Sequence, residues 1–359
     1  MNAPATRRFA SVDALRGLTV ALMLLVNDPG DWAHVYAPLL HSEWSGCTPT
    51  DLVFPFFLFI VGVSIALGIV PRIEAGADPA PIRRSIAVRA LRIIGIGLAI
   101  NLLAWWLLDK PHFRPWGVLQ RIGICFFVVG WLATLPRSRA WLGLLAAALL
   151  LGYWALLAFG GGYAPWTNLA SRVDTALLGP LVYELDPATG RGHDPEGLLS
   201  TLPSLVTTLL GLHAGGWLRR GRAHRLLPGA LAGLMVGWLW SAVLPWNKNL
   251  WTPSFVLWTA GWAMAVLWLF HQLIDRHGWP ALGRSLGINA ITVYAGSALM
   301  FLLLYVVGAW EAIYRIGFAG WMTPKFGPYA PSLAFGLVFT GLWWGIAKAM
   351  ERKGIVIKV

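Results

Sequence analysis

The chain reads as long apolar runs separated by shorter polar links. A bilayer core takes about 20 apolar residues per helix. Runs of that kind lie at 11–28, 50–70, 86–108, 117–135, 140–159, 198–218, 226–245, 254–274, 285–307 and 330–350. They predict an all-α integral membrane protein, a polytopic bundle of about ten transmembrane helices forming a single domain over 1–359. The run at 140–159 is the cleanest. The first is the weakest, because Asp13 and Arg16 sit near its start; three residues apart on one helix face, they are expected to pair. Two links, 28–49 and 160–197, are long and polar, and loops of that kind tend to carry function. No internal repeat is strong enough to argue an inverted-repeat transporter.

Composition narrows the class. Of 359 residues, 57% are hydrophobic and 12% charged, about half the ~25% charge of a soluble domain. A soluble globule is excluded, and so is disorder, which needs low hydrophobicity. In a soluble protein a net charge of +12 would suggest nucleic acid. Here it reads as basic cytoplasmic loops, the lipid bilayer is the expected partner, and nucleic acid is not. With ten spans, twenty of the 28 Lys and Arg fall on the side of the termini, while the 16 acids divide five to eleven the other way. Both termini are therefore expected in the cytoplasm. Cys47 and Cys125 are too few for a disulfide scaffold, and no metal-type spacing is present, so no metal is expected. Thr6-Arg7-Arg8-Phe9 faintly resembles a twin-arginine signal, but no small-x-small cleavage site follows. The first run is expected to remain as an anchor.

The densest polar cluster bridges the first two runs. It holds Asn27-Asp28, then His41-Ser42-Glu43-Trp44-Ser45-Gly46, then Thr48-Pro49-Thr50-Asp51. Polar groups at membrane depth are costly and tend to be functional. Taken singly, each has a plainer explanation: Asn27 as a helix end, Thr50 and Asp51 as caps, Trp44 as an interface anchor. His193, beside Asp194 in the second long loop, is the second choice for a catalytic imidazole. Two further clusters stand on the same side, Asp194-Pro195-Glu196-Gly197-Leu198-Leu199-Ser200-Thr201 and Trp246-Asn247-Lys248-Asn249-Leu250-Trp251-Thr252-Pro253. Asn289 lies inside an apolar run and needs a partner there.

Together these pieces carry a resemblance. Ser11-Val12-Asp13-Ala14-Leu15-Arg16-Gly17 resembles the opening motif of membrane-embedded acyltransferases. Val26-Asn27, His41-Ser42-Glu43-Trp44-Ser45-Gly46 and Asp51-Leu52-Val53-Phe54-Pro55-Phe56-Phe57 are similar to the heparan-alpha-glucosaminide N-acetyltransferase family and its bacterial NagX-like members. Gly117-Val118-Leu119-Gln120-Arg121-Ile122, Asp194–Thr201, Lys248-Asn249-Leu250-Trp251-Thr252 and Gly287-Ile288-Asn289-Ala290 extend the match over nearly the whole chain. Ser45 stands where an Asn is common, and Cys47 where an aliphatic residue is usual.

The resemblance implies a transmembrane acetyltransferase that moves acetyl from cytoplasmic acetyl-CoA to the amino group of a glucosamine-type sugar across the membrane. It maps the essential histidine to His41 and the active-site asparagine to Asn27. Asp51 or Glu43 is a candidate to orient the imidazole. Trp44, Glu43, Glu196, Lys248 and Trp251 are assigned to the acceptor sugar. Arg16, Arg121 and Asn289 are assigned to the donor, with Arg89 and Arg92 as further cationic candidates. Direct transfer and an acetyl-histidine relay both remain open. The resemblance further implies a homodimer, and the expected location is a bacterial inner membrane with His41 facing the periplasm. A sugar transporter and an O-acetyltransferase of envelope glycans are the alternatives.

Overall fold

The computed structural model describes residues 9–136 and 139–357. Arg7, Arg8, Arg137 and Lys358, counted in the charge sorting, lie outside the described residues. The chain is a helical bundle. It opens with α1 (Ala10–Asn27), a 3-10 turn (Thr50–Leu52) leading directly into α2 (Val53–Gly68), and α3 (Val70–Glu74). Then follow α4 (Pro79–Leu107), α5 (Val118–Leu132), α6 (Arg139–Phe159), α7 (Leu169–Leu178) and α8 (Thr201–Arg219). The second half holds α9 (Leu226–Trp240), α10 (Pro253–Phe270), α11 (Arg284–Ile288), α12 (Ala290–Val306), α13 (Ala309–Tyr314), α14 (Gly320–Phe326) and α15 (Tyr329–Arg352). A two-stranded antiparallel hairpin, β1 (Glu184–Leu185) and β2 (Gly192–His193), lies between α7 and α8.

Each of the ten predicted runs contains helix, but among the described residues only six helical segments are long and apolar enough to cross a membrane by length and composition, fewer than the ten spans expected. They begin at Ala10, Thr50, Pro79, Ala140, Pro253 and Tyr329. The α12 and α13–α14 pair, bent by 91°, makes a seventh if counted as one span. The run at 117–135 yields only the shorter α5. α8 carries Thr201, Ser204, Thr207, Thr208 and His213, and α9 is 15 residues long; both fall outside that group. The run at 285–307 is not one helix but two, α11 and α12, broken at Asn289.

α2 is apolar on every side, and a helix of that kind belongs in a core. It packs on α8, α1, α5 and α10. Its contact with α8 is backbone to backbone: a Cβ on Gly62 would run into the Thr208 carbonyl, and one on Gly211 into the Phe59 carbonyl. Small residues let membrane helices approach this closely, and dispersion contacts then hold them. α1 and α11 meet in the same way, with Gly17 against the Gly283 carbonyl and Gly287 against that of Asp13. Ser11 binds Asp275 just beyond α10, and Ser285 Oγ donates to Glu351 Oε2 at 2.5 Å at the end of α15. Both described ends of the chain thus lie at one end of the bundle. His41 and the long loops lie at the other.

Candidate functional site

α2 begins with an acid. Asp51 sits in its leading 3-10 turn and is fully buried. A carboxylate there is tolerable only if its oxygens are satisfied. Oδ2 accepts from the Ser42 amide at 3.1 Å, the Thr48 amide at 2.9 Å and the Thr48 hydroxyl at 3.1 Å. Oδ1 lies 2.7 Å from His41 Nδ1. The loop before α2 therefore wraps around Asp51, and that wrapping aims the imidazole. With Nδ1–H donated to Asp51, the ring's lone pair is at Nε2. The His41 side chain is 47% exposed, so the pair joins a buried anchor to an accessible ring.

Lys248 completes the group from the loop before α10. Its Nζ lies 3.0 Å from His41 Nε2 and 3.2 Å from Nδ1. The two loops are tied by the Gly46 amide donating to the Trp246 carbonyl at 2.7 Å. Burial pushes the Lys248 amine below its ordinary value, while Glu196 and Asp51 pull it back up. A lysine there can donate a hydrogen bond to the imidazole or to a ligand seated beside it.

Beside it lies an acidic cluster held by an arginine. Arg114 Nη2 donates to Asp194 Oδ1 at 2.5 Å and Glu196 Oε2 at 2.6 Å, and its Nε to Asp194 Oδ2 at 3.0 Å. The Arg114 guanidinium lies 4.6 Å from the Tyr183 ring centroid. Burial alone would push the Glu196 carboxyl up, but Arg114, Arg121 and Lys248 hold it below its usual value. His193 is buried, with Nδ1 3.2 Å from Ser171 Oγ, and burial pushes it down to about 4. At neutral pH it is an uncharged wall, edge-on to Trp44 at 5.0 Å. Burial pushes the Cys47 thiol up to about 12, so it offers no thiolate nucleophile.

The other sequence-assigned residues separate into three groups. Trp44 stands beside this network and donates from Nε1 to the Tyr163 carbonyl at 2.8 Å. Glu43 is exposed in the same loop. Asn27 is exposed at the last turn of α1, a helix that packs against the turn carrying Asp51. Trp251 and Arg121 lie behind the site. Trp251 is fully buried, donates from Nε1 to Thr207 Oγ1 at 3.1 Å, and holds a left-handed backbone at φ +52. It cannot stack a sugar at the mouth; it is a strained, supported wall. Arg121 is also fully buried, donating to Ser200 Oγ at 2.5 Å and the Gly197 carbonyl at 3.1 Å, with its guanidinium 5.2 Å from the Trp251 ring. Its guanidinium therefore belongs with the acidic cluster rather than with Arg16. Arg16 and Asn289 are at the opposite end of the bundle.

That opposite end holds a cavity of about 1110 Å³, above the ~300–1,000 Å³ of common ligand pockets. Arg16, Arg84, Arg89 and Arg92 line it, against the single carboxylate of Asp78. Arg16 is fixed by Asp13 at 3.1 Å, the Gly287 carbonyl at 3.0 Å and Ser64 Oγ at 2.9 Å. Farther in, the lining turns apolar with Phe57, Ile60, Ile122 and Phe126. An arginine-rich mouth with an apolar depth suits a long ligand that is anionic at one end. Phe57 follows Asp51 by six residues, roughly 9 Å along a helix, and Ile122 follows Arg121 directly. The deep wall of the cavity thus shares α2 and α5 with the polar network at the other end.

Arg114 and Arg84 were not singled out in the sequence. The arginine spacing on α4, with Arg84 preceding Arg89 and Arg92, was the available signal for the second.

The profile of the family described as "Heparan-alpha-glucosaminide N-acetyltransferase, catalytic" matches residues 8–239. The heparan-alpha-glucosaminide N-acetyltransferase of Homo sapiens is 29% identical over 418 aligned positions, covering 98% of this chain and 60% of that protein. Its Mus musculus counterpart is 30% identical over 368 positions, covering 83% of this chain and 55% of that protein. The chain spans little more than half the length of these curated relatives.

Proposed function

Because the chain belongs to the heparan-alpha-glucosaminide N-acetyltransferase catalytic family, we propose that it transfers acetyl from acetyl-CoA to the amino group of a glucosamine-type sugar. The donor enters the arginine-lined cavity from the cytoplasm, and the acceptor binds at His41 on the far side of the membrane, the periplasm of a bacterial cell. The observation that carries this reading is the sharing of α2 and α5 between the two sites. Arginines at the cavity mouth suit the phosphates of CoA, and the apolar depth suits its uncharged arm.

At the acceptor end, Glu196 and the acids around it attract an amine. His41 Nε2 takes a proton from the attacking nitrogen, and the buried Asp51 carboxylate stabilises the imidazolium that forms. The nitrogen lone pair forms the new C–N bond while the carbonyl oxygen becomes an oxyanion; collapse of that oxyanion then breaks the C–S bond, and the thiolate leaves with CoA. Lys248 or the Asn27 amide supplies a donor to the oxyanion between those events. In a relay, Nε2 itself first takes the acetyl group and then yields it to the amine.

The test uses purified protein in nanodiscs with acetyl-labelled CoA, with and without glucosamine. Label is expected on the glucosamine nitrogen, and His41→Ala is expected to lower the rate by roughly 10²–10⁴-fold. Acid-labile label on the protein before sugar is added identifies the relay, and its absence identifies direct transfer. Unlabelled sugar taken up unchanged by the wild type would replace this reading with the transporter.

A further inference from the structure

The last described residues of the chain run along the arginine-lined cavity. α15 ends at Arg352, the backbone turns at Gly354 with φ +67, and residues 355–357 continue in an open conformation. This tail is clamped by one side chain. Asn289 Nδ2 donates to the Ile355 carbonyl at 3.1 Å, and Asn289 Oδ1 accepts from the Ile357 amide at 3.0 Å. A primary amide offers a donor and an acceptor side by side. It therefore pairs with a carbonyl and the amide two residues on, as a neighbouring strand would. Asn289 is 1% exposed, so both bonds are made away from water, where an unmade one is costly.

A second anchor fixes the approach of the tail. Glu351 accepts from Ser285 Oγ at 2.5 Å and lies 3.7 Å from Arg284 Nε and 3.4 Å from Lys348 Nζ. Ser285 lies in the first turn of α11 and Asn289 is the non-helical residue that follows its last turn, so one short helix brings both to the end of α15 and the tail. Between them, Gly287 gives its carbonyl to Arg16. One five-residue helix thus holds the end of α15, the tail and a cavity arginine in register. Val356 and Ile357 line the cavity beside those arginines, yet each remains about half exposed, at 48% and 50%. Apolar side chains held open at the wall of a polar-mouthed cavity are ready to cover the uncharged part of a ligand.

We propose that the segment Gly354–Ile357 is a fixed wall of the donor site, with Val356 and Ile357 packing on the uncharged part of the thioester donor. Asn289 is a positioning residue that acts through this wall and does not touch the donor. The inference rests on the reading of the arginine-lined cavity as the acetyl-CoA site. It also gives the buried asparagine of the 285–307 run its partner, the tail backbone.

The test is acetyl-CoA affinity by calorimetry, with KM and kcat measured in parallel, on full-length protein in nanodiscs. Asn289→Ala and a chain ending at Lys353 are each expected to raise Kd and KM about ten-fold, as loss of one or two buried apolar contacts would. kcat at saturating donor is expected to hold. Asn289→Ala made in the shortened chain is expected to add nothing, because its effect passes through the tail. A further loss there would show that Asn289 contacts the donor itself, and unchanged or tighter binding in the shortened chain would show that the tail is no wall. Val356→Ala with Ile357→Ala, which leaves the clamp backbone in place, repeats the Kd test if Asn289→Ala does not fold. Arg84→Ala with Arg92→Ala separates the two readings. Unchanged acetyl-CoA affinity in that variant rejects the cavity as donor site and this proposal with it, whereas weakened affinity with an unaffected shortened chain rejects the wall alone.

Discussion

At the scale of single residues, the site is ordered by which charges are buried and what faces them. Asp51 has no exposure and four hydrogen bonds from three residues, so it is fixed; His41 is half in solvent and takes its orientation from that carboxylate. The sequence left the partner of the ring open between Asp51 and Glu43; the loop closes on Asp51, and Glu43 stays exposed. Lys248 was not legible as a partner of the imidazole, being 207 residues away. Arg114 and Asp194 are 80 apart, and no periodicity joins them. His193 carries a pH prediction. Burial holds it neutral with a folded value of about 4, below the ordinary 6.5. Above pH 6.5 the ring is neutral in both folded and unfolded chains, and stability is full. As pH falls from 6.5 to 4 the unfolded chain binds the proton first, so stability declines, by on the order of 2–3 kcal/mol at most. His193→Gln is expected to flatten this decline, read as the difference in unfolding temperature between pH 7.5 and pH 4.5. An identical difference in wild type and variant would place the acid sensitivity elsewhere.

At the scale of elements, glycine placement decides which helices touch. Runs of apolar residues foretold where helices lie, because twenty consecutive apolar residues have few other uses. They did not foretell the break at Asn289 or the 91° bend after α12, because hydropathy is blind to which backbone groups find partners off the helix. Gly62 shows the finer level. Its missing side chain lets α2 lie on the Thr208 carbonyl of α8, so the helix headed by Asp51 is held against the one that carries Thr207, the partner of Trp251. Gly62→Ala forces the two backbones apart, an overpacking cost of about 1–3 kcal/mol, and is expected to lower the unfolding temperature and the transfer rate together. Gly68, at the end of the same helix, has nothing near the position of a Cβ. Gly68→Ala is the matched control and is expected to be neutral in both measurements. Equal behaviour of the two variants would remove the close α2–α8 approach as a determinant of the site.

At the scale of the molecule, the two sites face opposite ends of one bundle. The arginine cavity opens where both described chain ends lie, and the imidazole stands among the long loops at the other end. An acceptor amine and a donor thioester on one side of a membrane would need no such separation, since a single cleft holds both reactants more cheaply in chain length and buried charge. The arrangement is useful when the donor is made on one side and the acceptor found on the other. Sealed proteoliposomes test this. With glucosamine trapped inside and acetyl-CoA added outside, acetylated sugar is expected to accumulate inside, in proportion to the molecules whose C-terminal tag is open to external protease. Both reactants are membrane-impermeant, so leakage is checked by the same vesicles carrying His41→Ala. Arg84→Glu with Arg92→Glu is expected to suppress the trapped product by raising the donor KM, since two added carboxylates repel the CoA phosphates across a few ångströms of low-dielectric wall. Product that forms only when donor and acceptor share a compartment would mean that one end of the bundle binds both, and that the arginine cavity serves some other anion.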